Sequence, residues 1–222
     1  GTLGMGGHAS AILSSAPDIE LCGLDRDEEA LALAVQRLSA FGQRAHLFHC
    51  RYSDFAEALK ELGWNKVDGA LLDIGVSSLQ LDEAERGFSF YGDGPLDMRM
   101  DQASVQPSAW HWVNRESFDK LKDCIATLGE EPQAGRIARA IVDARQKNTI
   151  DTTGQLAALV ERAYPAAWRA KARRHPATRT FQALRMAVND ELGELRRFLD
   201  QILAWLPIGG RLAVITPPSP PP

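Results

Sequence analysis

The sequence predicts an α/β protein in which a parallel sheet with crossover helices is interrupted by an all-helical insertion. Strand-like runs at 19–25, 45–49 and 67–74 alternate with helical stretches near 28–41 and 54–62, the pattern of successive βαβ units. Residues 102–176 then carry helical periodicity and no strand-like run. A strand-like GGRLAVIT at 209–216 follows a further helix. The α/β domain is therefore expected over 1–101 and 177–222, with 102–176 inserted.

The first 25 residues organise the rest. Gly4, Gly6 and Gly7 crowd a tight turn, and His8 opens a short run of good helix formers, Ala9–Leu13. Glycines let backbone N–H groups approach a ligand where a Cβ would collide, and the helix start behind them offers a positive dipole end. The next strand ends in Asp25, at a distance from Gly7 that suits a carboxylate accepting from a ribose hydroxyl pair. The adenosine end of a cofactor is the ligand this stretch points to. The G-x-G-G spacing is not the full dinucleotide fingerprint, and a glycine turn that only packs tightly also fits it.

Each later element has its own signals. Asp27 reads as the N-cap of the 28–41 helix, whose apolar face is Leu31, Ala34, Val35 and Leu38 and whose stop is Gly42. The helix at 54–62 stops at Gly63, and VDGALLDI at 67–74 is apolar enough for a strand buried on both faces. In parallel sheets, ligands bind at the carboxyl ends of the strands. Asp25, Tyr52 and Asp73 all fall at or just past such ends; core packing is the other reading of Tyr52. The stretch 75–101 is poorly periodic and rich in Gly, Ser and Asp, as binding loops are, while Phe88, Phe90, Met98 and Met100 make it too apolar for an idle surface. Helices are expected near 108–128, 133–147 and 152–164, with one long helix from Pro176 to about Leu206. The terminal PPSPPP is expected to be an extended tail.

Composition narrows the class. The chain has 222 residues and a net charge of −4, with no apolar run near the ~20 residues that span a bilayer. No membrane association is expected. Cys22, Cys50 and Cys124 are scattered, with no C-x-x-C pair. That spacing argues against a disulfide framework or a metal site and favours a reducing, cytoplasmic location. Seven of the 25 Lys and Arg residues, and none of the 29 Asp and Glu, lie between Arg162 and Arg185. One basic segment on an acidic chain suits local contact with a polyanion; a solvated helix face is the alternative. Tyr164 and Trp168 add rings that can stack on bases.

The strings TLGMGGH (2–8), LDRD (24–27), LLDIGVSSLQLDEAERGFSFYGDGPLDMRMD (71–101), GRIARAIVDAR (135–145) and HPATRTFQALRMAVNDELGEL (175–195) together resemble the MraW/RsmH family. These are bacterial methyltransferases, with mitochondrial relatives, that act on the exocyclic N4 of a cytidine in small-subunit ribosomal RNA. The resemblance covers nearly the whole chain in order. It implies a Rossmann-like class I methyltransferase sheet, S-adenosylmethionine as methyl donor, and small-subunit ribosomal RNA or the assembling small subunit as partner.

Carried over motif by motif, the resemblance places the donor on Gly6, Gly7, His8, Asp25, Tyr52, Asp73 and Gln80. Asp25 would take the ribose, Tyr52 the adenine, and Asp73 would orient donor or amine, with Ser77 or Ser78 sharing that role. The cytidine is expected between the sheet rim and the insertion, walled by 86–101. Arg99, Arg174, His175, Thr178 and Arg179 are the expected RNA contacts.

Two departures stand out. Many amine methyltransferases carry Asp/Asn-Pro-Pro-aromatic where this chain has DIGVSS. The family pattern also has a segment and strand before the glycine loop and a Ser-Phe-His-Ser-Leu-Glu-Asp-Arg run after the last strand. Here nothing precedes Gly1, and Thr216 leads into PPSPPP, so truncation at both ends is expected. A non-catalytic RNA- or ribosome-binding protein of the same fold is the second functional reading. A nicotinamide-dependent oxidoreductase is a third, disfavoured by the incomplete glycine pattern.

Overall fold

The computed structural model describes residues 1–169 and 174–216; Lys171, Arg173 and the PPSPPP tail lie outside the described residues. In chain order the elements are α1 (Gly7–Ser15), β1 (Leu21–Asp25), α2 (Glu28–Leu38), β2 (Ala45–His49), α3 (Phe55–Glu61), β3 (Gly69–Asp73), α4 (Ser78–Asp82), α5 (Ala109–Arg115), α6 (Phe118–Leu128), α7 (Ala134–Arg145), α8 (Thr153–Ala163), α9 (Ala166–Arg169), α10 (Thr178–Val188), α11 (Glu191–Ile202) and β4 (Arg211–Ile215). The chain forms two compact units, divided after Ser77 and again after Glu191. The second unit is therefore wider than the expected 102–176.

In the first unit β1 pairs in parallel with β2, from Leu21↔Ala45 to Asp25↔His49. β3 pairs in parallel with β4, from Gly69↔Arg211 to Asp73↔Ile215. Residues 1–3 tie the two pairs together. Leu3 N donates to Leu24 O of β1 at 2.9 Å, and Gly1 N donates to Leu71 O of β3 at 2.8 Å. Asp25 and Asp73 end their strands on either side of this segment.

Two apolar clusters hold the unit. Leu3, Ala9, Leu13, Ala34 and Leu38 join α1 and α2 to residue 3. Leu24, Phe55, Ala58, Leu59, Leu72, Phe198 and Ile202 join α3 and α11 to β1 and β3. The N-cap expected at Asp27 is present: its Oδ1 accepts from Glu29 N at 3.2 Å and Ala30 N at 3.4 Å. α2 stops at Leu38, short of the expected 41, and a 3₁₀ turn over Ser39–Arg44 follows. β3 also departs from expectation. Only Leu72 in it is buried, and Gly69 and Asp73 are exposed. The α3 and α11 side chains of the second cluster account for the cover that β3 has in this unit.

Among the described residues of the second unit, helices account for the regular structure apart from one isolated bridge, Pro95↔Thr152. α6 packs on α7 and α10, and α7 on α8, around buried Leu121, Ile125, Ile137, Ile141, Leu156 and Leu184. Thr152 and Gln155 cap α8 reciprocally, satisfying two otherwise orphaned backbone donors.

Two helices expected to be continuous are broken. The 108–128 helix divides between α5 and α6, where Ser117 Oγ caps the new start by accepting from Lys120 N. Arg145 holds the end of α5 by donating to Val113 O at 2.7 Å and Glu116 O at 2.6 Å. The helix expected from 176 to 206 divides between α10 and α11 at Asn189 and Asp190, the latter at φ 48°. Asn189 is engaged elsewhere: Nδ2 donates to Met98 O at 2.7 Å, and Oδ1 accepts from Met100 N at 2.9 Å. Side-chain bonds to distant backbone outweigh local helix propensity here.

Candidate functional site

The site begins with the loop 2–8, which enters α1 through Gly6. Gly6 sits at φ 78° and Gly4 at φ 53°, left-handed backbone that side chains with a Cβ resist. This turn delivers the loop to both strand-end carboxylates of the first unit. Asp25 Oδ2 accepts from Gly4 N at 2.7 Å. Asp73 Oδ2 lies 3.1 Å from His8 Nε2, and Asp73 N donates to Thr2 Oγ1 at 2.6 Å. One short loop is thus gripped at Thr2, Gly4 and His8 by residues from two strands.

Asp25 is the less solvated carboxylate. Its Oδ1 also accepts from Asp27 N at 2.9 Å, so both oxygens meet backbone donors. Burial nevertheless raises its pKa above the ordinary 3.8; the bonds from Asp27 and Gly4 oppose that shift without cancelling it. Each oxygen keeps a second lone pair for a further donor. His8 and Asp73 differ in kind, with side chains 55% and 45% exposed. They are reachable by a ligand or by water.

Tyr52 opens a single 3₁₀ turn, Tyr52–Asp54, just past β2. Its ring is half-buried and meets Phe198 of α11 edge-on, with centroids 5.8 Å apart. The preceding Arg51 Nη1 donates to Glu194 Oε1 at 2.9 Å, and Arg197 Nη2 donates to the same oxygen at 2.8 Å. Glu194 is 1% exposed. α11 therefore holds the 51–52 dipeptide through Glu194 and Phe198, one turn apart on the helix.

Gly6, Gly7, His8, Asp25 and Asp73 are thus brought together in the first unit, with Tyr52 just beyond the neighbouring strand. Gln80 belongs to the second unit, buried in α4. The expected RNA contacts also lie in the second unit, in unlike surroundings. Arg99 is engaged locally: Nε and Nη2 donate to Asp97 Oδ1 and Oδ2 at 2.7 and 2.8 Å, and Nη1 donates to Ser104 O at 2.7 Å. Asp97 holds the Arg99 guanidinium above its ordinary pKa by hydrogen bonding. Arg174 is exposed. His175 accepts at Nδ1 from Ala177 N at 3.2 Å, and Thr178 N donates to His175 O at 3.0 Å, starting α10. Arg179 Nη1 donates to Glu130 O at 3.0 Å.

Thr2 and Gly4 are the members of the grip to which the sequence assigns no role in the site. Gly4 is visible only as a turn glycine, and Thr2 carries no signal beyond its place beside the glycines.

Parallel strands with intervening helices, and a glycine loop held at their carboxyl ends, place the protein in the α/β class. The model of the MraW methylase family matches residues 1–219, and the chain belongs to that family. It is 96% identical over 216 residues to a protein of Desulfovibrio desulfuricans named ribosomal RNA small subunit methyltransferase H. That match covers 97% of this chain and 66% of the relative. Proteins of the same name from Nitratidesulfovibrio vulgaris and Lawsonia intracellularis are 69% and 60% identical, each over 97% of this chain and over 67% and 70% of their own lengths. The chain spans about two thirds of the length of these relatives.

Proposed function

We propose that the chain carries the donor site of an S-adenosylmethionine-dependent methyltransferase acting on the exocyclic N4 of a cytidine in small-subunit ribosomal RNA. In this reading the parallel strands are part of a Rossmann-like class I sheet. The helical insertion, 102–176, serves substrate recognition. The observation that carries the reading is the grip on the 2–8 loop by Asp25 and Asp73. The family membership and the names of the relatives agree with it.

The residues fit the donor. Both Asp25 oxygens retain acceptor capacity for ribose hydroxyls, and the backbone of Gly6 and Gly7 at the start of α1 is suited to the amino-acid end. Tyr52 offers a ring face for the adenine, and Asp73 and His8 complete the assignment within the first unit, while Gln80 is proposed for the donor on the family resemblance alone. Bound there, S-adenosylmethionine supplies an electrophilic methyl carbon on a sulfonium.

The protein has two tasks. The cytosine amine is a poor nucleophile because its lone pair is conjugated with the ring. The site must hold its nitrogen in line and within about 3–3.5 Å of the methyl carbon, which removes much of the barrier. As the nitrogen bonds to the methyl carbon, the carbon–sulfur bond would break with S-adenosylhomocysteine as the leaving group, and the positive charge gained by the nitrogen would be stabilised by a fixed carboxylate until its proton passes to solvent. Asp73 is the carboxylate assigned to this task, with His8 against its Oδ2 and Thr2 holding its backbone N–H.

Arg99, Arg174, His175, Thr178 and Arg179 are the residues proposed for RNA, with Arg99 already engaged by Asp97. Transfer of labelled methyl groups from S-adenosylmethionine to immature small subunits tests the function. Incorporation at a cytidine N4 is the expected result; RNA binding without incorporation would favour a non-catalytic binding protein.

A further inference from the structure

The second unit carries a row of aromatic rings that ends in solvent. Phe90 is its centre. His175 lies 4.6 Å away by ring centroids with planes 35° apart, and Tyr91 lies 5.0 Å away with planes 34° apart. Phe181, 4% exposed, meets Phe90 edge-on at 4.9 Å and 72°. Both of these tilted neighbours lie at the centroid separations favoured by aromatic pairs, and the edge contact with Phe181 is itself a favoured geometry. The Ala177 N–H to His175 Nδ1 bond fixes the far ring from α10. The near ring, Tyr91, is 89% exposed. Tyr91 is thus a ring seated on a braced ring and left open to solvent.

A large, exposed, pre-seated aromatic has a recognisable use. The protein's own core does not cover Tyr91, so the face of its ring turned from Phe90 is open to a planar ligand. The charge next to the row in the chain selects among planar ligands. Exposed Arg174 adjoins His175 in the chain, within the 162–185 segment that has seven basic residues and no acidic one. Rings beside cations are how proteins bind unpaired nucleic acid: the ring takes a base face and the cations take phosphates.

We propose that Tyr91, supported by Phe90 and His175, is a stacking platform for an unpaired base of single-stranded RNA. The proposal rests on the RNA-substrate reading above and adds a contact to it. Stacking is tolerant of base identity and needs no phenol hydroxyl, so Tyr91→Phe and Tyr91→Trp keep the platform and Tyr91→Ala removes it.

The test measures binding of a short single-stranded RNA, and of a duplex of the same sequence, to the full chain and to these three variants over a range of salt. S-adenosylhomocysteine binding and thermal unfolding serve as controls. Tyr91→Ala is expected to weaken single-strand binding by about 5- to 150-fold, the range for loss of one stacked base. The slope of log affinity against log salt stays unchanged, because no phosphate contact is lost. Duplex binding, S-adenosylhomocysteine binding and unfolding should be unaffected, and Tyr91→Phe and Tyr91→Trp should bind as the parent does. Equal single-strand binding by Tyr91→Ala and the parent would overturn the platform and leave the RNA reading standing. Failure of the parent chain to bind any RNA would overturn both.

Discussion

His8 Nε2 stands 3.1 Å from Asp73 Oδ2, joining the first turn of α1 to the carboxyl end of β3 across 65 positions of sequence. Both side chains are about half exposed. A hydrogen-bonded pair in that setting contributes at most about 1 kcal/mol to stability. Asp73 N is also bonded to Thr2, and in the proposed function the pair at this strand end serves the ligand rather than the fold. Asp73→Asn should therefore change unfolding free energy by less than about 1 kcal/mol, while methyl transfer falls by about 100-fold or more with loss of a charge-stabilising group. Unfolding curves and single-turnover rates check the two halves. Undiminished turnover at saturating donor would remove Asp73 from the chemistry.

Asp25 is expected to govern donor affinity. Asparagine cannot accept through its amide nitrogen, so Asp25→Asn should weaken S-adenosylhomocysteine binding by about 10- to 150-fold, the worth of a hydrogen bond to a charged group. Calorimetric titration measures it.

The same residue predicts a pH dependence. The folded pKa of Asp25 is raised above 3.8 by burial, so the folded state holds this proton more tightly than the unfolded chain does. Asp25 alone then makes the fold more stable as pH falls from the raised value towards 3.8, and adds a constant penalty above it. Donor affinity should move the opposite way, falling as pH drops through the raised value and the carboxylate is lost. Titrations of S-adenosylhomocysteine at several pH values, on the parent chain and on Asp25→Asn, isolate this contribution.

Arg99 and Arg174 should separate an RNA contact that also braces its own loop from one that does not. Arg99 has Nε, Nη1 and Nη2 bonded within its own loop. Arg99→Ala breaks the paired bonds to Asp97 and should lower stability by about 0.5–3 kcal/mol, and as a proposed RNA contact it should reduce the salt slope of RNA binding as well. Arg174 is exposed, and Arg174→Ala should reduce the salt slope by about 1 and leave stability unchanged. Unfolding curves together with salt titrations decide between the two roles.

The sequence was most legible where local signals act alone. β2 was expected at 45–49 and is found there, and Asp27 caps α2 as its type and place imply. Legibility failed where distant backbone claims a side chain. Nothing near Asn189 announces that it will bond Met98 and Met100, 91 and 89 positions away, and end α10. Arg145 likewise reaches back to Val113 and Glu116 at the end of α5. In the candidate site, Asp25 and Asp73 are legible as the ends of strands in two parallel pairs, which residues 1–3 tie together. The bond partners that lock them there, Gly4 N and Thr2 Oγ1, depend on how the loop folds back and leave no periodic trace. The exposed face of β3 is a similar case, since an apolar run cannot say how many layers will cover it.

The most direct test of the carboxylate-gripped loop as a donor site is a calorimetric titration of the chain with S-adenosylhomocysteine and, separately, with NAD. Saturable binding of S-adenosylhomocysteine, reduced in Asp25→Asn and without a counterpart for NAD, is the expected result. Binding of NAD with equal or greater affinity, or S-adenosylhomocysteine binding that Asp25→Asn leaves intact, would contradict it.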